Sequence, residues 1–162
     1  VTNKVGSEFY FSLPLKEIKK SIESNKTTIA SDKIFGNLKV LVVEDNKSNQ
    51  LFIKIILKKL NFKFEIANDG VEAIEMYKDN KYDIILMDEN MPNMSGIEAT
   101  QFILEDEKKY NKIHTPIIAL TANAIIGDRE RFLEAGMDEY LTKPINKDQL
   151  FETIIQVLNK QP

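Results

Sequence analysis

Five residues have the types and spacing for phosphoryl or metal chemistry, provided the fold gathers them. Asp88 ends the apolar run "DIILM" and opens a turn-rich stretch, "DENMPNMSG", that carries Pro92 and Gly96. Glu44 and Asp45 stand side by side after another apolar run, "LKVLVV" at 38–43. Thr121 follows "PIIAL" at 116–120, and Lys143-Pro144 comes just after "DEYL" at 138–141. A carboxylate can attack phosphorus and form an acyl phosphate, a covalent intermediate that divides one transfer into two. The transferring group spreads its charge over three equatorial oxygens. Mg2+ could take one, the Lys143 ammonium a second, and Thr121 with a backbone N–H a third. Mg2+ keeps several waters and takes only one or two carboxylates, so this sparse acidic set suits it better than the fuller oxygen cage of Ca2+.

Each residue also has a plainer job. An Asp at a strand end commonly forms a turn. Glu44-Asp45 ahead of Asn46 could cap a helix, where the dipole favours anions. Thr121 could satisfy a helix start, and Lys143 could be a solvated cation. Placement decides between the readings, because the chemical one requires all five on a single rim.

From Asn37 onward, short apolar runs alternate with amphipathic stretches. Strands are expected at 38–43, 62–67, 83–87, 116–120 and 138–141, and helices at 46–60, 69–80, 96–109, 123–135 and 147–159. The first, third and fourth strands are near-continuous apolar runs, as parallel strands buried on both faces require. In the first helix Phe52, Ile56 and Leu60 recur every four residues, with Ile53 and Leu57 widening the stripe. Asp69 and Asn146 stand where N-caps are wanted, and Gly136 where a C′ residue is. Five βα units predict an α/β fold, a doubly wound parallel sheet of flavodoxin-like (βα)5 type with strand order 2-1-3-4-5. In such a sheet ligands bind outside the carboxyl ends of the strands, where the order reverses. Glu44, Asp45, Asp88, Thr121 and Lys143 all fall at those ends. A cis Lys143-Pro144 bond would aim Lys143 inward, although sequence does not show the isomer.

The first 36 residues break the rhythm. "EFYFSLPL" alternates Phe9, Phe11, Leu13 and Leu15 as one lone strand, and residues 16–36 have the Lys-, Ser- and Thr-rich composition of a linker. Residues 37–161 form the main domain. The chain starts at Val1 rather than Met, as expected of a piece of a longer protein.

Composition narrows the function further. The chain has 162 residues, 43% hydrophobic and 29% charged, as in ordinary globular proteins. Net charge is −3 with no basic block, so no nucleic-acid partner is expected. There are no cysteines, which removes disulfides and thiolate chemistry and fits a reducing, cytoplasmic location. No apolar stretch approaches the ~20 residues that span a bilayer, so no membrane contact is expected of this chain, although a parent protein could be anchored elsewhere.

The motifs "VLVVEDNKSNQ", "DIILMDENMPNMSG", "PIIALTANA" and "GDRERFLEAGMDEYLTKP" make residues 38–160 resemble the receiver (response regulator) domain of two-component signalling. The wording most resembles receivers fused to hybrid histidine kinases. The resemblance implies that Asp88 accepts the phosphoryl group. It implies that Asp45 holds Mg2+ directly, Glu44 through water, and the Asn90 backbone carbonyl as a further ligand. Lys143 would pair with Asp88 and later with its phosphate. Thr121 would move toward the phosphoryl group while Tyr140 rotates inward behind it, and the face built from 123–160 would show the change to a partner. Asn90 and Asn123 would influence the lifetime of the aspartyl phosphate. The implied donor is a phosphohistidine on a histidine kinase or a His-phosphotransfer protein; a homodimer is left open. "VGSEFYFSLPL" resembles the closing strand of a histidine-kinase ATP-binding domain, so residues 1–15 are expected to be its remnant. The chain alone would then be no kinase, though its parent would be a hybrid histidine kinase. Asn61 stands where the family usually has Gly, in a position where Asn tolerates a left-handed backbone.

Two other functions compete. A haloacid-dehalogenase-type phosphatase would also use Asp and Mg2+, but with an Asp-x-Asp pattern on the first strand, whereas Glu44 and Asp45 are adjacent. A phosphate-independent interaction module could use the same fold. His114, the sole histidine, is expected to be an ordinary surface-loop residue far from Asp88. Met87, Met91 and Met94 read as packing, and "EDEKKY" at 105–110 as a solvated helix end.

Overall fold

The structure, a computed structural model, describes residues 38–122 and 128–160. The expected remnant strand (1–15), the linker (16–36) and the start of the helix expected from 123, Asn123 included, lie outside the described residues. Among the described residues five strands, β1 (Lys39–Val43), β2 (Lys63–Ala67), β3 (Ile84–Asp88), β4 (Ile117–Thr121) and β5 (Glu139–Thr142), alternate with five helices. These are α1 (Lys47–Lys59), α2 (Gly70–Asp79), α3 (Gly96–Tyr110), α4 (Asp128–Glu134) and α5 (Lys147–Asn159). All strand pairs are parallel, in the order β2-β1-β3-β4-β5 that the alternation predicted.

The side-chain period of two along a strand divides the core. Val40, Val42, Ile84, Leu86, Ile118 and Leu120 face Ile53 and Leu57 of α1 and Leu150 and Ile154 of α5. Leu41, Val43, Ile85, Met87, Ile117 and Ala119 face Ala73 of α2, Ala99 and Ile103 of α3 and Phe132 of α4. β3 and β4 are buried at every position, so each Leu or Ile there contributes about 2 kcal/mol of burial. The chain leaves β1 toward β2 on one side and returns to β3 on the other, which opens a crevice at the carboxyl ends of β1 and β3.

Local chemistry sets the boundaries. Asn46, rather than Glu44 or Asp45, caps α1 by accepting from the N–H groups of Ser48 and Asn49. Asp69 and Asn146 cap α2 and α5, and Ser95 and Glu98 form a reciprocal capping box on α3. Asn61 and Gly136 take positive φ values of 59° and 91°, where the sequence wanted left-handed backbone.

Three differences stand out. β3 and β4 each end one residue later than expected, because Asp88 pairs in register with Leu120 and Thr121 with Thr142 of β5. Asp88 and Thr121 are therefore strand residues held by a ladder. Phe52 is 46% exposed, because the buried stripe of α1 runs through Ile53, Ile56 and Leu57 and leaves Phe52 with Leu51 and Ile55 on the solvent side. Glu107, inside the run expected to be solvated, is only 6% exposed, because three groups around it supply hydrogen-bond partners described below.

Candidate active site

The strand ends bring the expected carboxylates and the lysine together. β1 delivers Glu44, fully buried, and exposed Asp45 at the rim beside it. β3 delivers Asp88, 6% exposed. One oxygen from each of the three lies within 4.8 Å of the others. The Lys143-Pro144 peptide is cis. Lys143 Nζ reaches Asp88 Oδ1 at 2.9 Å and Glu44 Oε2 at 2.7 Å. Glu44 is fixed on every side: its Oε1 accepts the Asn46 N–H at 3.1 Å and Asn49 Nδ2 at 3.0 Å, and its carbonyl accepts Gln50 Nε2.

Glycine shapes the floor. A Cβ on Gly96 would lie 2.1 Å from the Asp88 carbonyl oxygen, so only glycine lets the loop after β3 fold back on the strand end. The Gly96 N–H donates to the Glu89 carbonyl at 3.0 Å and closes that loop.

Three carboxylates against one ammonium leave two negative charges at the crevice. Burial raises the Asp88 pKa; hydrogen bonding and attraction to Lys143 oppose it, while the Glu44 charge raises it further. Burial acts to lower the Lys143 pKa, but its hydrogen bonds and attraction to Asp88 and Glu44 together prevail and hold it above the ordinary value. A divalent cation suits this excess of charge. Both Glu44 oxygens are already engaged by protein donors, which fits a role through water, whereas Asp45 is open at the rim.

The remaining predicted residues are placed less simply. Thr121 lies 2% exposed at the end of β4, but its hydroxyl donates to Glu89 Oε2 at 3.0 Å. Tyr140 is half-buried and stacks on Phe132, with ring centroids 6.3 Å apart. The Asn90 backbone, close to the Asp88 carboxylate, acts weakly to lower its pKa. Residue types and strand ends did not single out Glu89, its partner Arg131, or the Asn49 and Gln50 amides that hold Glu44. Only adjacency to Asp88, and the "NKSNQ" run after Glu44, could have pointed to them.

His114 is not the ordinary loop residue expected. Its Nδ1 meets Glu107 Oε2 at 2.7 Å and its Nε2 meets Asp138 Oδ2 at 3.1 Å. Glu107 Oε1 also accepts the Tyr77 hydroxyl at 3.1 Å and the Thr115 N–H at 2.7 Å, and Asp138 accepts the Ile117 N–H at 2.7 Å. Hydrogen bonds to Asp138 and Glu107 raise the His114 pKa to about 10. This cluster is at the amino ends of the strands, away from Asp88. A cavity of about 630 Å3 is at that end too, lined by Tyr77, Tyr82 and His114 among others, and no member of the acidic triad borders it. A smaller hollow of about 160 Å3 adjoins the site between α1 and Lys143, lined by Asn49, Phe52, Ile53, Lys143, Pro144 and Ile145. Beside it α1 exposes Leu51, Phe52 and Ile55.

Comparison with known proteins decides the family. Residues 40–155 match the response regulator receiver domain. The chain belongs to that family. A hybrid signal transduction histidine kinase I of Dictyostelium discoideum is 47% identical over 142 residues, which cover 82% of this chain and 8% of that protein. The autoinducer 2 sensor kinase/phosphatase LuxQ of Vibrio vulnificus is 37% identical over 151 residues, 93% of this chain and 17% of that protein. The receiver thus spans less than a fifth of these relatives. The receiver domain of a Pseudomonas aeruginosa sensor histidine kinase, crystallised with magnesium coordinated in its active-site cleft, superposes with a TM-score of 0.68 at 38% identity, covering 76% of this chain and 99% of that one. The receiver domain of the Saccharomyces cerevisiae response regulator Ssk1, co-crystallised with the histidine phosphotransfer protein Ypd1, gives 0.70 at 34% identity, covering 78% of this chain and 92% of that one. This chain is therefore a receiver domain of two-component phosphorelay signalling with the flavodoxin-like fold. No described helix is long and apolar enough to cross a membrane.

Proposed function

We propose that this receiver takes a phosphoryl group onto Asp88 from a phosphohistidine and changes conformation through Thr121 and Tyr140. One observation carries the reading: a nearly buried carboxylate at the switch point of the sheet has a lysine at 2.9 Å and two further acids on the same rim. An Asp88 oxygen lone pair forms the O–P bond as the P–N bond of phosphohistidine breaks. The electron pair stays on the ring nitrogen, and a donor ring protonated on its other nitrogen leaves as neutral imidazole. Lys143 holds Asp88 in place and neutralises charge on the transferred group. Glu44, pinned by Asn46 and Asn49, keeps Lys143 at the site.

Asp45 and Asp88, with Glu44 through water and the Asn90 carbonyl, would hold Mg2+. When bound, Mg2+ would offset the carboxylates' charge and that of a phosphoryl oxygen. A relative's cleft holds magnesium, and the excess charge of this crevice fits the same ion.

The exposed Leu51, Phe52 and Ile55 of α1, beside the hollow next to Lys143, are the docking face we assign to the donor, a histidine kinase domain or His-phosphotransfer protein. A relative receiver's complex with a histidine phosphotransfer protein supports that class of partner. We assign the parent protein to the hybrid histidine kinases, with this domain on the cytoplasmic side. The test is labelling by phosphoramidate with Mg2+, read by mass: wild type gains one phosphoryl group and Asp88→Asn gains none. Equal labelling of the variant would remove Asp88 from the role.

A further inference from the structure

Glu89 is one residue beyond the acceptor, and its backbone is locked on both sides. Its N–H donates to the Leu120 carbonyl at 3.1 Å and its carbonyl accepts the Gly96 N–H at 3.0 Å. Its side chain is 12% exposed and turns inward from the rim. Oε2 accepts the Thr121 hydroxyl at 3.0 Å, and Oε1 takes the Arg131 guanidinium of α4. That guanidinium also lies over the Phe132 ring, 4.8 Å from its centroid, and Phe132 stacks on Tyr140. One carboxylate therefore engages Thr121 and the helix packed against the aromatic pair.

A hydroxyl has a single proton to donate. While Thr121 gives it to Glu89, it cannot give it to a phosphoryl oxygen on Asp88. We propose that Glu89 is a positioning residue that holds the resting state, keeping the Thr121 hydroxyl from the acceptor and tying α4 to that arrangement through Arg131. The proposal rests on Asp88 being the acceptor. A phosphoryl group there brings close to two negative charges within one residue of the Glu89 carboxylate. It competes for the Thr121 proton and repels Glu89, so the Glu89–Arg131 pair must move with respect to β4. Whatever Glu89 contributes to the resting state is subtracted from the affinity for the phosphoryl group, and the coupling is reciprocal.

The experiment titrates the full chain with beryllofluoride and Mg2+, for wild type, Glu89→Ala, Glu89→Gln and the same changes in a Thr121→Val background. Glu89→Ala is expected to bind the phosphoryl mimic about tenfold tighter, with Glu89→Gln, which keeps an acceptor oxygen but loses the charge, in between. In the Thr121→Val background the gain should shrink to less than about twofold, because Glu89 then has no hydroxyl to withhold. A second readout needs neither metal nor mimic: the amide resonances of Thr121 and Tyr140 in unliganded Glu89→Ala should shift toward their beryllofluoride-bound positions. Affinity equal to or weaker than wild type in both Glu89 variants, or a gain that persists in full with Thr121→Val, overturns the proposal. If wild type fails to bind beryllofluoride at all, the acceptor reading fails and takes this one with it.

Discussion

A carboxylate buried beside a second carboxylate is costly to ionise, and Asp88 faces that cost with Lys143 as its counter-charge. Its folded pKa is raised above the ordinary 3.8, so the native state binds the proton more tightly than the unfolded chain does. The stability this confers is present below the unfolded pKa and is lost as pH rises through the folded one. At neutral pH ionised Asp88 is therefore a net burden on the fold. Asp88→Asn removes that burden and should stabilise the metal-free protein, read as a higher urea midpoint at pH 7. Addition of 10 mM Mg2+, a concentration of order 10 mM being ample for a weak hydrated site, should raise the Tm of wild type and leave the variant nearly unmoved. Gly96 is under the opposite constraint. A Cβ placed 2.1 Å from the Asp88 carbonyl oxygen must push the strand end aside, so Gly96→Ala should cost about 2 kcal/mol and slow phosphoramidate labelling as well. If chemical denaturation shows no loss, the loop can retreat without dragging Asp88.

Between elements, the His114 cluster ties the end of α3, the start of β4 and the approach to β5 at the amino side of the sheet. Glu107 and Asp138 face the imidazole from opposite sides, Tyr77 of α2 and the Thr115 N–H share Glu107, and Lys112 is near enough to lie over the Tyr77 ring. The His114 folded pKa of about 10 is above its unfolded 6.5, so the pair of ionic contacts contributes in full below pH 6.5 and fades as pH climbs toward 10. His114→Gln should flatten the difference between stability at pH 7 and at pH 9.5, measured as urea midpoints; an unchanged slope would mean the imidazole is neutral in the fold. This cluster also marks the limit of what the sequence revealed. Strand order, the helix faces apart from Phe52, caps and the rim that gathers Glu44, Asp45, Asp88, Thr121 and Lys143 follow from periodicity and from residues at strand ends, because burial on both faces writes itself as a continuous apolar run. Glu107, His114, Glu89 and Arg131 follow no period. Their roles depend on partners 7 to 42 residues away, set by loop paths and by which rotamer meets which. The one-residue extension of β3 and β4 was hidden for a similar reason: Asp88 and Thr121 are polar, and only their ladder partners Leu120 and Thr142 make them part of the sheet.

At the scale of the molecule, the proposed function gives the two surfaces beside the crevice separate tasks. On one side α1 carries Leu51, Phe52 and Ile55, exposed by 60%, 46% and 44%, next to the hollow that ends at Lys143. On the other, Thr121 and Glu89 connect the crevice to Arg131 of α4 and, through Phe132, to Tyr140 of β5. Apolar side chains left in solvent on three neighbouring helical positions gain free energy only when a partner covers them. A donor that must bring a phosphohistidine to Asp88 has to cover the crevice mouth, and α1 is the apolar wall of that mouth. On that proposal, separate faces let a donor dock without blocking the surface that reports the change. The arrangement predicts a split between two phosphoryl sources. Replacing Leu51 and Ile55 together by Ser removes apolar area from the docking face without touching the carboxylates, Lys143 or Thr121. Transfer from a phosphohistidine protein should slow by about tenfold or more, mostly through weaker association. Labelling by phosphoramidate, which needs no docking surface, should change by less than about twofold, since its barrier is set by groups at the strand ends. Equal slowing with both sources would place the defect in the crevice itself, and no slowing with either would move the donor to the α4–β5 side.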